Sequence, residues 1–256
     1  MCKKSYKAIP VAILSFAFWV GSPLSHATDI VGAWALTRYC VNGECMKVSG
    51  VLVLNDGRFA MIYRMNSDAE SLSGRGHAGF YQIDEDHLIF HVKYWVENVE
   101  GATRIVPETI VKPKMHLDND ELTLNFESGS VQELERLTTP DEPIDAGVWE
   151  LHSVRSDNSS KEASGMMVIA GDHYALTYVD KSGQSGGAFG GTGGRNGSDR
   201  HLIKLWNLEL LSDRGVASTD DDVRKLELSQ SESFLVLRGA DGALFNFSQE
   251  ANGSSR

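Results

Sequence analysis

The sequence predicts an all-β protein made of two tandem copies of one module, each a small barrel or sandwich. Two observations carry this. The first is a repeat: Gly32-Ala33-Trp34-Ala35-Leu36 returns 115 residues later as Gly147-Val148-Trp149-Glu150-Leu151. Ser49-Gly50-Val51-Leu52-Val53-Leu54 returns as Ser164-Gly165-Met166-Met167-Val168-Ile169, and Phe59-Ala60-Met61-Ile62-Tyr63 as Tyr174-Ala175-Leu176-Thr177-Tyr178. The three blocks align without a gap. The period is too long for a solenoid unit and suits a small domain. The second is the near absence of helical periodicity. Short runs of period-two character, bounded by turn residues, dominate the chain. Many such strands closing on themselves read as an up-and-down barrel or a sandwich.

In copy one, strands are expected near 32–40, 45–54, 58–65, 77–83, 87–95, 103–106, 109–117, 121–126 and 131–137. Asp56-Gly57 is a tight-turn signal. Asp84-Glu85-Asp86 and Asp118-Asn119-Asp120 mark two further turns, and Asp220-Asp221-Asp222 reads likewise as solvated chain. In copy two, strands are expected near 147–155, 164–170, 173–180, 200–211, 222–229, 233–238 and 243–248. Residues 182–198 contain eight glycines and interrupt the symmetry. They read as a flexible loop at the mouth of the second module. Gly183-Gln184-Ser185-Gly186-Gly187 has the outline of a serine-nucleophile elbow, but no helix is expected after it.

Residues 1–27 have the form of a signal peptide. Lys3, Lys4 and Lys7 precede an apolar run from Ile9 to Val20, and Ser25-His26-Ala27 is a small-x-small cleavage site. The run is short for a membrane span. The expectation is a secreted or periplasmic chain, cleaved near Ala27, with no membrane span. Removing the leader leaves 21 basic against 35 acidic side chains. That acidity disfavours nucleic acid as a partner. Module 1 is expected over 28–138, a proline-containing linker over 139–143, module 2 over 144–250 and a disordered tail over 251–256.

Cys40 and Cys45 flank Val41-Asn42-Gly43-Glu44. Asn-Gly is a strong two-residue hairpin signal, so the cysteines should face each other across it. An exported chain permits a disulfide there. Copy two has Arg155 at the position of Cys40, so the bridge is not part of the common module.

Copy one also resembles the bacterial lipocalin-like domain family of the calycin group. The resemblance rests on four blocks in order: Ile30-Val31-Gly32-Ala33-Trp34-Ala35-Leu36; Gly50 to Phe59 with Asp56-Gly57-Arg58; Gly79-Phe80-Tyr81-Gln82-Ile83-Asp84 followed by His91-Val92; and Leu117 to Leu124 followed by Leu134-Glu135-Arg136. It implies two tandem lipocalin-like antiparallel up-and-down β-barrels, the second divergent. It also implies that Arg136 packs over Trp34 and closes the barrel base. Copy two keeps Trp149 but ends in Leu244-Phe245-Asn246-Phe247 without that arginine. Closure of the second barrel is therefore left open.

A barrel of this size holds packed side chains or one small ligand. Phe59, Met61, Tyr63, Tyr81, His91 and Trp95 are the candidate ligand-binding residues, forming an apolar cup with a few polar tips. Trp34, Arg136 and Trp149 are read as structural. His87 and His91 lie about 13 Å apart along a strand, too far for one metal ion, so no metal site is expected. No cofactor and no catalytic residue is assigned. The leading reading is an exported protein that binds a small apolar or amphipathic molecule in a barrel cavity. One alternative is a barrel enzyme of the cyclase or isomerase type, using His91, Tyr63 or Tyr81. The other is a structural or protein-interaction module with filled barrels and an exposed apolar patch on 144–250.

Overall fold

The computed structural model describes residues 30–65, 73–99, 102–138, 146–156, 159–183, 185–196, 199–211, 215–216, 224–231, 233–239 and 242–249. The expected leader, linker, tail and Asp220–Asp222 turn lie outside the described residues. Every regular element among the described residues is a strand, so none is a helix long and apolar enough to cross a membrane.

The first unit contains β1 (Gly32–Val41), β2 (Glu44–Asn55), β3 (Arg58–Met65), β4 (Ser73–Asp84), β5 (His87–Val99), β6 (Ala102–Ile105), β7 (Thr109–Val111), β8 (Lys114–Asp118), β9 (Glu121–Asn125) and β10 (Ser130–Arg136). Strands run in the order β4-β3-β2-β1-β10-β9-β8-β5, and β4 pairs with β5 to shut the ring. β6 and β7 are short strands paired to β5. The second unit contains β11 (Gly147–Ser156), β12 (Ser159–Ala170), β13 (His173–Asp180), β14 (Gly186–Asn196), β15 (Asp199–Leu211), β16 (Gly215–Val216), β17 (Arg224–Gln230), β18 (Phe234–Gly239) and β19 (Leu244–Gln249). It closes the same way, through β14 and β15. The protein is thus two closed, eight-stranded antiparallel up-and-down barrels in tandem.

Local chemistry explains the turns. Asn42 and Gly43 both take positive φ (52° and 86°), as do Asp56 and Gly57 (45° and 70°). Two consecutive residues at positive φ match the twist of the flanking strands, and Asn-Gly and Asp-Gly tolerate that best. Cys40 and Cys45 pair across the first of these hairpins and are joined by a disulfide.

The repeat extends to backbone irregularities. In the pairing of the first strand with the last, a register shift between Leu36 and Arg38 recurs between Leu151 and Ser153. Gly50 and Gly165 also repeat: a Cβ at Gly50 would collide with Tyr63, and one at Gly165 with Tyr178. Glycine there lets β2 and β12 bend over the next strand.

Trp34 is fully buried at the base of barrel 1, and its Nε1 donates to the Ile30 carbonyl at 2.9 Å. The Arg136 guanidinium lies 4.1 Å from the indole ring centroid. It donates to the Val31 carbonyl at 3.1 Å and pairs with Asp120 at 3.1 Å. Barrel 2 places Gln249 opposite Trp149, at the register that Arg136 holds opposite Trp34. The second barrel closes without the arginine, which settles the question that its absence raised.

The glycine-rich segment corrects the sequence reading. It is β14, a strand paired on both sides, and not a loop at the mouth. Its outward face meets barrel 1. A Cβ at Gly190 would stand 2.8 Å from Ile62 Cγ2, and one at Gly186 3.0 Å from Val96 Cγ1. Small side chains at these positions let two curved sheets approach closely.

The junction is apolar. Val51, Val53, Ala60, Ile62, Ala78 and Val96 of barrel 1 form one buried cluster with Val148, Met166, Val168, Ala175 and Ala188 of barrel 2. β2 lies against β12, β3 against β13 and β4 against β14, so equivalent faces of the repeat meet. Each interior has its own apolar cluster, separate from the junction.

Candidate ligand site

Barrel 1 holds a partly open cavity of about 210 Å³. The Phe59–Phe90 pair, 4.6 Å between centroids, lies towards the closed end. Phe126, Ser128 and Ser130 line the other end, near the disulfide hairpin, where the Asn42 amide donates to the Gly129 carbonyl. Tyr39, Met61, Tyr63, Arg75, His77, Val92, Trp95, Val111 and Gln132 complete the lining.

Strand alternation places these residues. On β3, Phe59, Met61 and Tyr63 face inward, and Ala60 and Ile62 face barrel 2. On β4, Arg75 and His77 line the cavity, and Ala78 packs into the junction. On β5, the pairing shifts register between Ala78 and Gly79, where Tyr94 and Val92 are the partners. The extra residue inverts the alternation, so both Val92 and Trp95 reach the cavity.

The cavity has a polar side. Glu97 is 1% exposed, directly opposite Arg75 across the β4–β5 ladder. Its carboxylate pairs with Arg75 Nε at 3.2 Å and also with Arg104. Arg75 Nη1 donates to the Tyr63 hydroxyl at 3.4 Å. Burial pushes the Tyr63 hydroxyl up to about 12, against the opposing pull of the Arg75 guanidinium. Burial, reinforced by the Arg75 charge, holds His77 down to about 3, so its imidazole is neutral near pH 7. His77 stands edge-on to Trp95 at 4.5 Å and to Tyr63 at 6.0 Å. Among the described residues, His77 Nε2, Trp95 Nε1 and Gln132 Oε1 are buried without a hydrogen-bond partner.

Of the residues expected to form the cup, Phe59, Met61, Tyr63 and Trp95 come together at the cavity. Tyr81 faces the same interior but packs against the core outside the cavity lining. Its hydroxyl is raised by burial. His91 does not face inward. It lies beside Phe80, Lys93, Glu108 and Ile110 in an open cleft on the outer surface. Tyr39, Arg75, His77, Phe90 and Gln132 were not anticipated. Arg75 and His77 could have been found by extending the expected strand back from 77: Arg75, His77, Tyr81 and Ile83 then fall on one face.

Two properties argue against acid–base chemistry here. A neutral His77 with so low a pKa is a poor base near pH 7, and the Tyr63 hydroxyl is a poorer acid than free tyrosine. Among the described residues, no group of three or more His, Cys, Asp or Glu side chains is placed to hold a metal ion.

Barrel 2 differs at the same register positions. Phe59, Met61 and Tyr63 correspond to Tyr174, Leu176 and Tyr178. The partners of Met61 and Leu176 on the next strand are His77 and Phe189, and those of Tyr63 and Tyr178 are Arg75 and Gly187. The partners of Tyr39 and Val154 are Gln132 and Phe245. Phe189 lies 5.2 Å from Phe245 and 6.2 Å from Tyr174, and Tyr178 lies 5.9 Å from Phe245. Aromatic rings thus occupy the interior of barrel 2 where barrel 1 has His77 and Gln132.

No family model and no curated protein matches the chain. Among solved structures, a protein of unknown function from the DUF3598 family of Nostoc punctiforme aligns over 87% of this chain and 97% of its own, at 12% identity and a TM-score of 0.20. At that likeness neither fold nor function transfers.

Proposed function

We propose that this chain is an exported member of the bacterial lipocalin-like group whose first barrel binds a small apolar or amphipathic molecule. The second barrel is its filled companion. One observation carries the reading: the barrel 1 cavity is lined by His77 and Gln132, and barrel 2 has Phe189 and Phe245 at the same places. An apolar enclosure with a few convergent polar groups is the usual form of a small-molecule site. The enzyme alternative keeps only Tyr63 of its three candidates at the cavity. The filled-module alternative needs a barrel without a void, which the cavity of about 210 Å³ opposes.

Native mass spectrometry of protein recovered from the secreted or periplasmic fraction tests the reading. The comparison is His77→Phe/Gln132→Phe, which copies the filling of barrel 2 into barrel 1. A non-covalent adduct on the natural protein, absent from the double variant, is the expected result. Bare masses for both, or the same adduct on both, would overturn it.

A further inference from the structure

Resting on that reading, we propose that the cavity selects a neutral aromatic molecule of about eight to ten non-hydrogen atoms with one hydrogen-bonding head. It discriminates against the carboxylate and ammonium analogues of that molecule.

The size follows from the volume. A dry cavity of roughly 150 Å³ holds benzene. The barrel 1 cavity, at about 210 Å³, has room for a substituted ring and little more. The aromatic preference follows from the walls. Tyr39, Phe59, Tyr63, His77, Phe90 and Trp95 all present rings. These already meet one another tilted or edge-on, the arrangement in which a further ring is best received.

The polar head follows from unmet hydrogen-bonding capacity. Trp95 Nε1 can only donate, Gln132 Oε1 can only accept, and neutral His77 Nε2 does one or the other by tautomer. Such atoms are costly to leave unpaired. A ligand hydroxyl both donates and accepts, so it offers a partner to a donor and to an acceptor among the atoms that share this cavity.

The charge preference follows from Arg75 and Glu97. Among the described residues Arg75 is the one guanidinium lining the cavity, and a buried carboxylate holds it at 3.2 Å. A ligand carboxylate would have to share Arg75 with Glu97, whose charge the solvent-exposed Arg104 offsets only in part. A ligand ammonium would face the Arg75 guanidinium. Desolvating either ion is costly, and among the described residues lining the cavity neither finds a counter-charge that is not already paired.

Calorimetry on the full exported chain near pH 7.5 tests this with four probes of similar size: ethylbenzene, para-ethylphenol, para-toluate and para-methylbenzylammonium. The expected order puts para-ethylphenol first, about tenfold tighter than ethylbenzene, as one good hydrogen bond provides. Both ions bind more weakly than para-ethylphenol. Gln132→Leu should narrow the phenol-to-hydrocarbon gap and leave ethylbenzene binding in place. Gln132→Met serves the same purpose if the leucine variant does not fold. Tightest binding by para-toluate or by the ammonium overturns the neutral preference and leaves the cavity reading standing. Equal binding of para-ethylphenol and ethylbenzene overturns the polar head. No binding by any probe overturns both this proposal and the reading it rests on.

Discussion

Gly76 of barrel 1 and Ala188 of barrel 2 occupy the same position of the repeat and face each other across the junction. Gly76 is the partner of Ile62, and Ala188 of Thr177, the residue that repeats Ile62. A Cβ at Gly76 would run into that of Ala188.

Gly76→Val should therefore push the barrels apart. Overpacking a tight contact costs about 1–3 kcal/mol. Urea unfolding should show a lower midpoint for Gly76→Val. Gly190→Val should behave alike, because its new side chain would meet Ile62 and Val51. An unchanged midpoint for both would mean that the junction contributes little to stability.

Arg136→Ala should destabilise barrel 1 by about 1–2 kcal/mol. It removes the stack on Trp34, the bond to Val31 and the pair with Asp120. Arg136→Lys should restore only part of this, since a lysine lacks the planar face that covers the indole. Thermal unfolding measures both. Ligand affinity should stay unchanged, because neither Trp34 nor Arg136 lines the cavity.

His77 gives a pH dependence of defined sign. Its folded value of about 3 lies below the ordinary value of 6.5. Below pH 6.5 the unfolded chain takes up a proton that the folded chain refuses. Stability from this residue is therefore intact above pH 6.5 and falls as pH drops towards 3. His77→Phe should flatten that part of the stability profile between pH 6.5 and 4, as read by unfolding midpoints. A profile identical to that of the natural protein would show that His77 does not carry it.

Replacing both Cys40 and Cys45 by serine should cost about 2 kcal/mol, the chain-entropy value for so short a loop. The far-ultraviolet circular dichroism should not change, because barrel 2 closes with no such bridge. Loss of the β-sheet spectrum would make the bridge essential to the fold.

The repeat made the paired barrels legible, and Asn42-Gly43 and Asp56-Gly57 made two hairpins legible, because both signals are local. β14 was hidden because glycine is a poor strand former in isolation. Its glycines Gly190 and Gly186 answer contacts with Ile62 and Val96, residues of the other barrel and far away along the chain. Trp95 and His91 show the same limit at the site. Simple alternation puts them on one face, but the bulge beside Ala78 and Gly79 turns His91 outward. The polar side was hidden for a related reason. Arg75 and Glu97 are ordinary surface residue types, and only the β4–β5 ladder puts them opposite each other inside the barrel.

The apolar junction has a consequence for how the two halves could diverge. A lone half would leave Val51, Val53 and Ile62 uncovered and would need a second molecule to cover them. With both halves in one chain, the match forms at any dilution. In a symmetric pair of identical chains every substitution appears twice. Here His77 can stand in one interior while Phe189 fills the other, so one half is free to specialise while its twin keeps the shared wall intact.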